Sequence, residues 1–334
     1  MKALVTGATG FLGKALANRL QTMGWQVTAL GRNDGILKLL ASQGLQVVKA
    51  DLADKDQVMA ACKNQDIVFH SGALASDWGN KQDFYNSNVL GTQNVIQGCM
   101  HNQVKRLVHV STPSIYFQNK PRLNVKETDP LPTKAVNEYA RTKLLAEELI
   151  DKAFLEGLSV ITIRPRAIYG PGDQTILPRV IDRLERGVLR QIGNGENIID
   201  LSYVENVVDS LLLCAEIQGN PIGKKYNITN GEPVLLWKMI HQLCEKLNLQ
   251  FPHQKLPLPL VNSIAGSAEW VCSLLPGQPE PFLTRYSVAM LSTSSTLDIS
   301  AARQDLGYKP RISNQQGFDL FVDWWLSKNK ANHL

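Results

Sequence analysis

Cysteine is scarce in this chain, and none of it is spaced for bonding. Cys62, Cys99, Cys214, Cys244 and Cys272 are odd in number and far apart, with neither a Cys-x-x-Cys pair nor zinc spacing. That argues against a disulfide framework and a zinc site, and points to reduced thiols in a cytoplasmic protein. Long uninterrupted apolar runs are missing too. The nearest approach, Leu256 to Pro276, is broken by Pro257, Pro259, Asn262 and Glu269, too often for a membrane span. No basic run interleaves with aromatics, so nucleic acid is not an expected partner despite a formal charge of +5. Repeats, low-complexity tracts and disordered linkers are absent, and only Lys328 to Leu334 reads as a frayed end. The first strand begins within three residues of Met1, so no cleavable signal peptide is expected. His70 and His109 fall at strand ends, as packed or hydrogen-bonded groups rather than ligands, and no metal is expected.

What remains is an ordinary globular composition, 44% hydrophobic and 19% charged, with room in 334 residues for two interwoven units. Ala3-Leu4-Val5 is a short apolar strand ended by Thr6-Gly7, and Phe11, Leu12, Ala15, Leu16 and Leu20 then recur at helical spacing up to Gly24. A strand, a glycine turn at Gly7, Gly10 and Gly13, and a helix start make a cradle for a pyrophosphate, whose charge faces the helix amides. The spacing is one residue wider than the usual dinucleotide fingerprint. The next strand, Gln26 to Leu30, ends in Gly31-Arg32 where an NAD site places an acid, so Arg32 suits a 2′-phosphate. NADP is therefore expected, with NAD as the alternative because Asp34 is close by. Gln46 to Ala50, closed by Asp51-Leu52, and Ile67 to His70, closed by Ser71-Gly72-Ala73, are further strands. Strands alternating with helical patterns predict an α/β fold, a doubly wound parallel sheet with ligand at its C-terminal edge.

The chemistry sits further along. Leu107 to Val110 is a fifth strand ending in Ser111-Thr112-Pro113-Ser114, and Tyr139-Ala-Arg-Thr-Lys143 lies in a run of strong helix formers. Positions i and i+4 share a helix face, which lets Lys143 approach the Tyr139 ring and a cofactor ribose. An ammonium and an oxidised nicotinamide nearby would favour the phenolate and lower its pKa from about 10. Tyr139 then exchanges a proton while a hydride moves, with a hydroxyl from Thr112 on the substrate oxygen. Tyr116 and Lys120 repeat the spacing, but Gln118, Asn119 and Pro121 disfavour a helix there, so that pair reads as a decoy.

Together these residues resemble an extended short-chain dehydrogenase/reductase of the epimerase/dehydratase-like type. The likeness runs from the Thr6-Gly opening through Asp51-Leu52, Asn88 to Val95, Val110-Ser-Thr112, the Tyr139/Lys143 pair and Arg164 to Asp173, to Tyr203-Val204. It implies a Rossmann domain over 1–170 with about 199–228, a substrate domain over 171–198 and 229–330, and a 331–334 tail. Thr112 becomes the catalytic hydroxyl, with Ser111 and Ser114 as fallbacks. Phe11 and Leu12 join the cradle, Asp51 and Leu52 flank the adenine, Ser71, Gly72 and Ala73 let backbone pass close to the cofactor, and Pro165 to Ile168 back the nicotinamide. Ser114, Tyr116, Trp78 and Tyr169 fall to the substrate. Helices around Asp83–Met100 and Val136–Phe154 imply a homodimer.

The likeness narrows the reaction. Sugar-nucleotide dehydratases of this group carry Asp-Glu after the threonine, whereas this chain has Pro113-Ser114. The C-terminal third resembles the 3β-hydroxysteroid dehydrogenase-like subgroup, and within it bacterial 2-alkyl-3-oxoalkanoate reductases. The implied activity joins a ketone and a secondary alcohol on a small hydrophobic β-keto or β-hydroxy compound. A long-chain 2-alkyl-3-oxo acid is the first choice and a 3β-hydroxysteroid the second. Nucleotide-sugar epimerisation and a non-catalytic NADPH-sensing regulator are the alternatives. For Leu256 to Pro276, a lid or an interfacial helix in peripheral membrane contact stands against ordinary core packing.

Overall fold

A computed structural model describes residues 1–252 and 254–332. Seven parallel strands form the central sheet: β1 (Lys2–Thr6), β2 (Gln26–Gly31), β3 (Gln46–Lys49), β4 (Ile67–His70), β5 (Arg106–Val110), β6 (Val160–Pro165) and β7 (Lys225–Ile228). Their order across the sheet is β7-β6-β5-β4-β1-β2-β3. Strand order reverses between β1 and β4, and a crevice opens at their C-terminal ends, where doubly wound sheets hold ligands.

Period-two alternation divides the core. Ala3 and Val5 face one cluster, with Phe69, Val108 and Ile161, and Leu4 faces the other, with Leu30, Val68 and Leu107. The helix Phe11–Thr22 buries Leu12, Leu16, Ala17 and Leu20 against the first face. The helix Glu138–Leu155, capped by Asn137, sends Ile150 and Ala153 to the second.

A smaller four-stranded sheet orders Val234–Leu235, Ile198–Ile199, Ser295–Leu297 and Arg122–Val125. Its last strand comes from the stretch assigned by sequence to the nucleotide-binding domain, so the two units share chain on both sides of residue 170. The expected frayed end at 328–334 is a correction, because the helix Asn314–Asn332 runs through it; His333 and Leu334 lie outside the described residues.

For Leu256 to Pro276 the structure goes against the core-packing alternative. The helix Leu258–Leu274 buries only Val261, Ala265 and Gly266, against Ile192 and Val288. On its other side Leu260, Trp270 and Leu274 are 52, 65 and 66% exposed. Among the described residues no helix is long and apolar enough to cross a membrane.

Candidate active site

The cradle after β1 is closed by backbone. Gly7 adopts φ +68°, and a Cβ there would lie 2.6 Å from Cα of Gly72 in the loop after β4; one at Gly13 would overlap the Gly7 carbonyl oxygen. Gly10 caps the helix with no side-chain hydrogen bond, leaving its first turn of amides open to an anion. Thr6 ties the two loops together: its carbonyl accepts from Ser71 Oγ at 2.7 Å and its hydroxyl from the Gly72 amide at 3.2 Å. A cavity of about 350 Å³ follows, lined by Gly7, Gly10, Arg32, Asp51, Leu52 and Ser71 to Ala73 among others. These groups fit a dinucleotide, since the open amides of the first helical turn and this cavity lie together at the C-terminal end of β1. Leu12 is in the core, so only its amide can serve, and Phe11 turns outward over Gly172.

Thr112, Ser114 and Tyr139 meet at the end of β5. The Thr112 side chain lies close enough to act on the Tyr139 phenol. Thr112 Oγ1 donates to Ser114 Oγ at 3.0 Å, and Ser114 Oγ lies 3.0 Å from the Tyr286 hydroxyl. Tyr286 opens the helix Arg285–Ser292, set by a Thr284/Ser287 capping box, and lines a 670 Å³ cavity with Trp78, whose Nε1 donates to the Gln278 carbonyl at 2.9 Å. Ser111 Oγ is buried with no hydrogen-bond partner.

Lys143 departs from expectation. Its ammonium donates to the Val110 carbonyl at 2.8 Å and bonds His109 Nε2 at 3.1 Å, so it is anchored to β5. Burial pushes Lys143 down to about 8. Tyr139 moves up to about 12, driven by burial and by Tyr286 and Asp77, against the Thr112 side chain. The expected lowering of Tyr139 by Lys143 is thus absent from the protein alone, because desolvation of the phenolate outweighs a cation already engaged elsewhere.

Two residues expected to line the substrate pocket are directed elsewhere. Tyr116 is buried in the short 3₁₀ turn Pro113–Tyr116, where its hydroxyl donates to Asn227 Oδ1 at 3.1 Å and accepts from Arg164. Arg164 Nε in turn reaches Glu147 Oε1 at 2.8 Å, joining β6 to the Tyr139 helix. Tyr169 is buried, and its hydroxyl donates to the Asn314 carbonyl at 3.1 Å. Pro165 ends β6 fully buried, and Ile168 pairs with Ser202 just beyond it.

His70 and His109 stack at 5.7 Å beneath the site, and burial holds His70 down at about 3 and His109 well below its usual range. His70 bridges Thr6 and Thr92 at 2.8 and 3.0 Å. Sequence reasoning missed Tyr286 and the anchoring of Lys143 by His109, and took in Arg166 only as part of the Pro165 to Ile168 stretch. The one available signal was a pair of arginines, Arg164 and Arg166, in a stretch otherwise apolar enough to be buried.

Residues 4–259 match the model of the 3-beta hydroxysteroid dehydrogenase/isomerase family. The chain belongs to this family. It is therefore an oxidoreductase of hydroxyl and keto groups. A 2-alkyl-3-oxoalkanoate reductase of Shewanella oneidensis is 35% identical, covering 94% of this chain and 84% of that protein. The 3beta-hydroxysteroid-dehydrogenase/decarboxylase isoform 1 of Arabidopsis thaliana is 36% identical over 96% of this chain and 78% of its own length. Among solved structures, MoeE5 in complex with UDP-glucose and NAD superposes with a TM-score of 0.78 at 25% identity, covering 98% of this chain and all of that one (100%).

Proposed function

We propose that the protein interconverts a ketone and a secondary alcohol on a long-chain 2-alkyl-3-oxoalkanoate, using NADP. The observation that carries this reading is the hydroxyl line Thr112–Ser114–Tyr286, with the Tyr139 phenol close to Thr112 and Tyr286 lining the cavity that also takes in Trp78. Thr112 and Tyr139 hold the carbonyl oxygen, and the Tyr139 phenol gives that oxygen its proton as the alkoxide forms. The bound dinucleotide supplies the hydride in this direction and takes it back in the other. His109 and the Val110 carbonyl fix Lys143, whose ammonium would hold the cofactor ribose.

Two further facts support the substrate and cofactor. The relatives above act, by their names, on a 3-oxo acid and on a 3β-hydroxysteroid that is also decarboxylated, so a carbonyl or hydroxyl at position 3 is common to both. Arg32 at the end of β2 pairs with Asp51 at 3.2 Å, and both side chains are largely exposed. Such a pair is worth little, which leaves the guanidinium free to take a 2′-phosphate.

Consumption of NADPH and of NADH, measured separately with 2-alkyl-3-oxo acids, a 3-ketosteroid and a UDP-sugar, tests the reading. NADPH oxidation with the keto acids is expected, and Tyr139→Phe should lower kcat by about 10²- to 10⁴-fold while cofactor binding is kept. Epimerisation of the sugar without net cofactor oxidation would replace the reaction, and no turnover in either protein would leave a cofactor-binding regulator.

A further inference from the structure

Arg166 follows Pro165 at the end of β6, and its side chain is only 6% exposed. Burying a guanidinium costs several kcal/mol unless its donors are met (roughly the cost per buried ion). Arg164, two residues earlier, meets that cost with Glu147 and Tyr116. Arg166 does not: its Nε is buried with no hydrogen-bond partner, and among the described residues it joins no ion pair. The nearest balancing acid, Asp200, is engaged by the Leu297 amide at 2.6 Å, and burial pushes its carboxyl up in spite of Arg166.

The backbone around this side chain is fixed. The Arg166 amide donates to the Ile228 carbonyl at 3.2 Å, and the Ala167 carbonyl accepts from Ser202 at 3.3 Å. Ala167 itself adopts φ +46°, a conformation alanine avoids, and strain of this kind is kept where a site requires it. Strand register then places the arginine. Val110 pairs with Ile163, and the Ser111 amide donates to the Ile163 carbonyl at 2.7 Å. The two strands thus end side by side, with Thr112 and Arg166 each lying a few residues past that last pair. The charge of Arg166 acts on Tyr286, the last hydroxyl of the line.

We infer that Arg166 binds the carboxylate of the substrate, so that the site selects β-oxo and β-hydroxy acids over neutral ketones and alcohols. The inference rests on the reaction proposed above and names the group that sets its specificity. In such an acid the carboxylate sits one carbon from the reacting centre. A molecule whose oxygen is held at Thr112 and Tyr139 therefore brings its carboxylate to a donor on the neighbouring strand end. A guanidinium offers that carboxylate two parallel donors, and the acid supplies the counter-charge that Arg166 lacks.

The test uses a long-chain 2-alkyl-3-hydroxy acid and its methyl ester as probes, with the full-length protein. Oxidation with NADP⁺ and calorimetric binding to the NADP-loaded protein are both measured for wild type, Arg166→Met and Arg166→Lys. Wild type should favour the acid by roughly 30-fold or more in kcat/KM. Arg166→Met should lose that preference through KM for the acid, with the ester within about twofold of wild type. Arg166→Lys, which keeps the charge, should retain part of the preference. A wild type that treats acid and ester alike overturns the inference even if Arg166→Met does not fold, and so does an equal loss on both probes. Arg166-dependent binding of the acid without turnover of either probe would sink the reaction and keep the anchor; equal turnover and binding of both would do the reverse.

Discussion

Arg164 and Arg166 stand two residues apart at the end of β6, both nearly buried, and they are satisfied in opposite ways. Arg164 belongs to the floor of the site, where Glu147, Tyr116, His109 and Lys143 bond one another or the backbone. Arg166 stands outside that network, with its Nε left over, and its charge reaches Tyr286, which lines the 670 Å³ cavity. Further out, the helix Leu258–Leu274 presents apolar side chains to solvent. Partners built into the chain hold the catalytic geometry before any ligand arrives, while open donors and open apolar surface mark where something else completes the structure.

The sharpest way to break that contrast is to remove a partner from the floor. Glu147→Ala leaves a buried Arg164 unpaired and should cost about 3–5 kcal/mol in urea unfolding. A loss below about 1 kcal/mol would mean that Tyr116 suffices and that the floor is no better satisfied than Arg166. Acid titration probes the same floor more gently. His70 stays neutral in the native state down to about 3, whereas in the unfolded chain it takes up a proton below about 6.5. The stability it contributes is therefore present above pH ~6.5 and lost as pH falls, amounting to about 2 kcal/mol at pH ~5. Unfolding curves at neutral and acid pH should differ less in His70→Gln than in wild type by that amount; an unchanged pH slope would remove His70 from the account. The smallest effect belongs to the outer helix. Leu274→Ser with Val271→Ser should change stability by no more than about 0.5 kcal/mol per site. A large loss would show that this face is packed after all.

Much of the first half was legible because each signal there is local. Gly7 and Gly13 are forced by backbone crowding, which recurs wherever a strand turns tightly into a helix, and a Cβ at Gly10 would press on the Gly7 carbonyl. All five predicted strands ended within a residue of those observed, since alternation and apolar runs report burial directly. Tyr139 and Lys143 were singled out by spacing, and the structure anchors Lys143 to His109 and the Val110 carbonyl. Helix periodicity put both on one face but could not show that β5 would offer Lys143 a carbonyl and an imidazole. Tyr116 and Tyr169 misled for the same reason: a tyrosine near a motif looks like a pocket residue until its hydroxyl is seen donating to Asn227 or Asn314.

By itself the sequence determined the order of strands and helices, the cradle after β1 and the hydroxyl, phenol and amine proposed for the reaction. These depend on contacts between residues a few positions apart, where chain geometry permits few alternatives. Which buried charge is satisfied and which is left open was decided only by tertiary structure. Glu147 is 17 residues from Arg164, and Tyr286 is 172 from Ser114. No local pattern carries that information, because desolvation and pairing depend on what the fold brings together in space.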